Sequence, residues 1–271
     1  MKQFSVLIFF LGNVFLSSAG TVDTVSIFSN SMHKAIQCVV IKPDNYKHAI
    51  TKFPVVYLLH GYSGSYSNCI TRVPQLKDYA DTYQVIIVCP DGGFSSWYFD
   101  SPVDPSFKYE THIATEVVNY IDTNYRTLAD KNHRAIMGNS MGGHGALFLA
   151  LRHPDIFGAA ASISGGVDLA LCKTKYDIIK RLGDTILHAT NWHDLTVINL
   201  IEKYTNTPVK MSIDCGTRDI FIEANRHLHQ KMMQLKILHD YTERPGEHTW
   251  EYWGNSMPFQ LLFFRKFFDS N

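Results

Sequence analysis

The segment His133–Leu149, HRAIMGNSMGGHGALFL, constrains this chain more than any other. A strand-like run, Arg134–Met137, passes through Gly138-Asn139-Ser140-Met141-Gly142 into a helical pattern, Gly142–Arg152. G-x-S-x-G between a strand and a helix predicts a sharp turn that pushes the serine out of the backbone. Glycine on both flanks of Ser140 removes Cβ atoms that would collide with the adjoining strand and helix. Ser140 then opens a helix, where the Met141 N–H faces any oxyanion formed by attack of the serine. A dinucleotide-binding turn is the rival for so glycine-rich a stretch, but it needs G-x-G-x-x-G, which is absent.

A serine is a weak nucleophile until a base takes its proton. On this kind of turn the acid and the histidine follow the serine in the chain. The run Val209–Cys215 ends in CGTRD, which puts Asp219 just past a strand. The run Ile237–Thr242 leads into ERPGEHTW, which puts His248 in a Pro/Gly loop. Both positions are C-terminal strand ends, where open α/β sheets build their sites. Asp219 would fix the His248 tautomer, and His248 would act as general base and then general acid. Asp214 competes, but it lies inside the strand run and reads as a buried, hydrogen-bonded acid; triad acids sit on the loop. Glu223 and Glu247 read as solvated. A second oxyanion donor should follow an early strand, and Val55–Leu59 runs into His60-Gly61-Tyr62-Ser63-Gly64; the Tyr62 N–H is the candidate. The remaining histidines form no H-E-x-x-H and no ligand-spaced cluster, so no metal and no cofactor is expected. His144, one turn into the helix after Ser140, should pack near the turn.

The rest of the chain supplies the frame. Val25–Phe28 and Ile36–Ile41 read as an opening antiparallel pair. Val55–Leu59 and Val85–Val88 are continuous apolar runs, as expected of strands covered on both faces, and Ala159–Ile163 follows as a further strand-like run. Helical patterns at Glu110–Tyr125, Gly142–Arg152, Phe221–Leu235 and Asn255–Phe268 alternate with them. The prediction is an α/β fold with a central, mostly parallel sheet and helices on both faces. At 271 residues and 45% hydrophobic, one domain over 21–271 is sufficient. Twenty-five Lys+Arg balance twenty-five Asp+Glu, which gives no electrostatic reason to bind nucleic acid or an anionic membrane. Residues 1–20 read as a signal peptide: Lys2, an apolar stretch Phe4–Leu16, then Ser17 and Ala19 before a cleavage point. The expected location is therefore secreted or periplasmic. Five cysteines match no metal pattern. Cys38, Cys89 and Cys215 read as buried strand residues, while Cys69 and Cys172 lie in loop-like sequence and could pair.

These motifs resemble the esterase-D-like branch of the α/β-hydrolases. That branch includes feruloyl and acetylxylan esterases of carbohydrate esterase family 1, S-formylglutathione hydrolases and mycolyltransferases. The resemblance spans YLLHGYSG (57–64), PDGGFSSWYFDSP (90–102), GNSMGGHGAL (138–147), CGTRD (215–219) and PGEHTW (245–250). It implies an α/β-hydrolase fold without a separate lid domain. It also implies a Ser140–His248–Asp219 triad with Tyr62 and Met141 as oxyanion donors. PDGGFSSWYFDSP is more similar to secreted carbohydrate esterases and short-chain acyl esterases than to S-formylglutathione hydrolases, and mycolyltransferases usually carry Glu where Asp219 stands. The implied substrate is a hydroxycinnamoyl ester on xylan-like plant polysaccharide, with Trp97 and Tyr98 as candidate substrate contacts. The same cluster, Phe94, Trp97, Tyr98 and Phe99, reads equally as packing of its loop against the core. Two other classes stay open: an acetyl, short-chain, formyl-thioester or acyl-transfer enzyme with the same triad, and a non-catalytic carbohydrate-binding relative. Oligomeric state is left open.

Overall fold

The computed structural model describes residues 20–48 and 50–271. The leader predicted at 1–20 lies, but for Gly20, outside them. Eight strands form one sheet in the order β1-β2-β4-β3-β5-β6-β7-β8. They are β1 (Thr21–Ser29), β2 (Lys34–Lys42), β3 (Val55–Leu59), β4 (Ile86–Pro90), β5 (Arg134–Asn139), β6 (Ala159–Ile163), β7 (Lys210–Gly216) and β8 (Asp240–Arg244). β1 and β2 form the predicted antiparallel pair, and β2 runs antiparallel to β4. Every other pairing is parallel.

The apolar runs are explained by two layers of core. Val55, Tyr57 and Leu59 face one layer with Ile121, Phe148 and Leu228. Val56 and Leu58 face the other, with Leu76, Ala80, Leu261 and Phe264. A strand covered on both faces has no polar side to alternate with. The helix Met141–Arg152 and the helical stretch 109–124 cover the first face. The 20-residue C-terminal helix Trp250–Asp269 covers the second. This is the α/β-hydrolase arrangement, with no lid domain among the described residues.

Two of the boundaries that differ from the sequence reading bear on the site. The last strand was expected at 237–242 and stands at Asp240–Arg244. The preceding helix ends at Gln234, the Ile237 N–H closes its last turn by donating to Met232 O, and Lys236 turns the chain with φ +57°. Only from Asp240 does the chain meet β7, in register Ser212↔Asp240 to Gly216↔Arg244. The C-terminal helix begins at Trp250 rather than Asn255, capped by Thr249 Oγ1, which accepts from the Tyr252 N–H. The helix therefore starts two residues after His248. The cysteine pairing left open for Cys69 and Cys172 does not occur: both are free and buried, in the two different core layers.

Candidate active site

Ser140 sits at the C-terminal end of β5 with φ +57° and ψ −118°, a region that only a well-braced turn holds. Its N–H donates to Ile163 O at 3.0 Å, and its carbonyl accepts from Gly143, His144 and Gly166. The flanking glycines are sterically required. A Cβ on Gly138 would lie 2.4 Å from Gly142 O, and one on Gly142 would lie 2.2 Å from Leu59 O.

Two further strand ends bring the partners. β7 ends in a turn carrying Asp219, and β8 ends in the loop carrying His248. Backbone bonds join the two loops, Thr217 N–H to Arg244 O and Arg218 N–H to Gly246 O, both 2.9 Å. His248 Nδ1 stands 3.0 Å from both Asp219 carboxylate oxygens, and Nε2 stands 2.9 Å from Ser140 Oγ. An ionised carboxylate only accepts, so Nδ1 carries the proton and Nε2 is left to accept from Ser140 Oγ–H. The Asp219 side chain is fully buried and also accepts from the Phe221 N–H at 2.8 Å. Phe221 and Trp253 clamp the imidazole edge-on, at 5.2 and 4.9 Å between ring centres. The rival acid is spoken for: Asp214 accepts from Tyr252 Oη, from Gln260 Nε2 at 3.0 Å and from the Arg244 guanidinium.

The loop after β3 is pinned beside the serine, where a Cβ on Gly61 would lie 3.3 Å from Ser140 Cβ. The His60 ring accepts from the Gly92 N–H and donates to Gly61 O, both at 2.8 Å, while the Ser63 N–H donates to Phe94 O. Among the described residues neither the Tyr62 nor the Met141 N–H has a protein acceptor. The Tyr62 phenol donates to Asp177 at 3.2 Å. Burial, with the Asp177 carboxylate beside it, pushes that phenol above its ordinary range, so it stays a neutral donor.

Trp97 and Tyr98 are not in the site. They are 1% and 0% exposed. Tyr98 lies in a slot between two glycines: a Cβ on Gly92 would sit 2.3 Å from its ring and one on Gly145 2.5 Å. Its hydroxyl donates to His60 O at 2.9 Å. The Trp97 indole donates to Tyr176 O and meets His144 edge-on at 5.6 Å. Both residues brace the loops from below, the packing alternative for this cluster. His144 is fully buried there, donates from Nε2 to Leu195 O at 3.0 Å, and is held by burial to about 4, well below the ordinary imidazole value.

The aromatic residues that do line the cleft are Tyr62, Tyr176, Trp250 and Trp253. Tyr176 comes from the connection between β6 and β7, and Trp250 and Trp253 from the start of the C-terminal helix. None of these three was singled out from sequence. The Thr249 cap directly after His248 was the available signal for the two tryptophans. The cleft holds about 290 Å³ around Ser140 and His248, at the small end of ligand pockets.

The family described as "Putative esterase" matches residues 29–264. Esterase Rv1288 of Mycobacterium tuberculosis is 27% identical over 237 residues, covering 78% of this chain and 52% of its own length. The chain thus spans about half the length of that relative. The acetyl esterase of Caldicellulosiruptor saccharolyticus is 25% identical over 213 residues, 73% of this chain and 78% of the relative. A solved ferulic acid esterase superposes with a TM-score of 0.79 at 28% identity, covering 92% of this chain and 99% of its own.

Proposed function

The chain belongs to the "Putative esterase" family, and from that premise we propose that it is a secreted serine esterase whose preferred substrate is a hydroxycinnamoyl ester of xylan-like plant polysaccharide. The observation that carries the chemistry is the hydrogen-bonded row from Asp219 through His248 to Ser140 Oγ, with links of 3.0 and 2.9 Å. Ser140 Oγ attacks the ester carbonyl while His248 Nε2 takes its proton. The Tyr62 and Met141 amides hold the tetrahedral oxyanion. Collapse breaks the bond to the alcohol oxygen, which receives the proton from His248. Water then attacks the acyl-enzyme, giving one proton to His248. Collapse releases the acid and returns that proton to Ser140.

The feruloyl reading is supported by the similarity to a ferulic acid esterase and by the aromatic lining of the cleft. A flat phenolic acyl group gains from edge and face contacts with Tyr62 and Tyr176. An acetyl ester is the second reading, favoured by the relative from Caldicellulosiruptor and by the small cleft. Secretion rests on residues 1–20 alone. A panel of methyl ferulate, acetylated xylan, 4-nitrophenyl acetate and a long-chain acyl ester tests the substrate. Methyl ferulate is expected to have the highest kcat/KM. Turnover of the acetyl esters without methyl ferulate would replace the first reading by the second. A fluorophosphonate should add its mass at Ser140, and its failure to do so would remove the serine mechanism.

A further inference from the structure

The two sides of the cleft differ chemically. One side is Tyr62 and Tyr176, aromatic rings in edge contact at 5.3 Å. The other combines Asn68, Arg72, Trp250 and Trp253. This second wall is rich in donors that lack acceptors. Among the described residues Arg72 has neither a carboxylate partner nor a hydrogen bond, although most arginines of the chain are paired. Asn68 is oriented by the Ser65 N–H, which donates to its Oδ1 at 2.5 Å; among the described residues its Nδ2 hydrogens have no protein acceptor. The Trp253 indole N–H is buried without an acceptor. A carboxylate in the cleft would give the free Arg72 and Asn68 donors the acceptor they lack. No Asp or Glu lines the cleft; Asp219 lies behind His248, engaged by it and by the Phe221 N–H.

The position of this wall fixes which part of an ester it meets. Arg72 ends the short helix Asn68–Arg72, and the next residue, Val73, is buried in the same layer as Trp253. Val73 also leans on the C-terminal helix, where a Cβ on Gly254 would be 3.3 Å from it. That helix begins directly after His248. The leaving alcohol must lie on the His248 side, because His248 supplies its proton. We propose that Asn68 and Arg72 form a subsite for a carboxylate on the alcohol portion of the ester, so that the favoured alcohols are hydroxy acids or acidic sugars. A guanidinium matches a carboxylate with two parallel hydrogen bonds. The assignment rests on the serine-esterase reading above and adds a charge preference to it.

The test uses two size-matched aryl esters, the acetates of 3-hydroxybenzoate and of 3-hydroxybenzamide. The first carries a carboxylate on the alcohol side, and the second does not. The unmodified protein should hydrolyse the carboxylate ester with kcat/KM about five- to tenfold higher, the scale of a partly exposed charge pair. Half-molar salt should reduce that ratio. Arg72→Gln should bring the ratio close to one, and Arg72→Lys should keep part of it; thermal melts of both variants check folding. Equal kcat/KM for the two esters, or a ratio that Arg72→Gln does not change, overturns the subsite and leaves the esterase reading standing. A preference that appears only when the carboxylate is on the acyl portion overturns its placement. Absence of turnover on both esters overturns the esterase reading itself, and the subsite with it.

Discussion

The rim of the sheet and the layer directly beneath it carry the same residue types put to opposite uses. On the rim stand Asp219, His248 and Tyr176; beneath them stand Asp214, His144 and Trp97. Each lower residue has every strong donor or acceptor near it already engaged, or is buried away from solvent. Asp214 is saturated by Tyr252, Gln260 and Arg244. His144 stacks on Phe148 at 5.7 Å and donates to Leu195 O. The rim residues spend their bonds on the nucleophile instead, and His248 is the plainest case, with one ring nitrogen on Asp219 and the other on Ser140. Residue type therefore does not decide role here. What decides it is whether the neighbours leave a group something to do.

That contrast can be broken experimentally, and the largest effects belong to the rim. Ser140→Ala should fold normally and lose about 10⁴-fold or more in kcat. Asp219→Asn should lose about 10⁴-fold in kcat, because the His248 tautomer is no longer fixed. Steady-state kinetics beside thermal melts separates these from unfolding. Asp214→Asn should do the reverse: stability falls by about 3 kcal/mol as the Arg244 pair is broken, while kcat in the folded fraction changes far less than in Asp219→Asn. If Asp214→Asn abolished turnover in a folded protein and Asp219→Asn did not, the two carboxylates would exchange roles.

The aromatic pair sharpens the same point. Trp97→Ala should cost about 3 kcal/mol of stability through the cavity it leaves, read from a denaturant midpoint. Tyr176→Ala should leave stability nearly unchanged and raise KM for methyl ferulate more than for 4-nitrophenyl acetate. A pH-dependent effect is expected at His144. Its folded value of about 4 lies below the ordinary imidazole value, so between about pH 6.5 and pH 4 only the unfolded chain takes up the proton. Its contribution to stability is fully present above that window and is lost as pH falls through it. His144→Gln should therefore flatten the decline in Tm over this range, and an unchanged slope would assign the acid sensitivity to other groups.

Much of this was legible before any coordinates. β3 coincides with its apolar run, because a strand buried on both faces leaves an uninterrupted signature. Ser140, Asp219 and His248 come together as their order and their places at strand ends suggested. What failed was the distinction between similar side chains. Trp97 and Tyr98 look as suitable for stacking as Tyr176, and only the glycine slot and the bond to His60 O for Tyr98, and burial with the bond to Tyr176 O for Trp97, show them to be beneath the site. Tyr176 comes from a connection without periodic pattern, so nothing local marked it. The strand expected at 237–242 was drawn toward Ile237 and Leu238, whose hydrophobicity belongs to a helix terminus and a turn.

The five buried, unbonded cysteines have a further use. Cys38 and Cys172 lie in one core layer, Cys69 and Cys89 in the other. Burial pushes the Cys38 and Cys172 thiols well above their ordinary range, and a thiol that is both protonated and enclosed reacts with an alkylating reagent only when its surroundings open. Each thiol is thus a clock for one side of the sheet. Timed alkylation read by peptide mass would show whether the layer under the nucleophile turn and the layer under the C-terminal helix open together or in sequence, without any label being introduced.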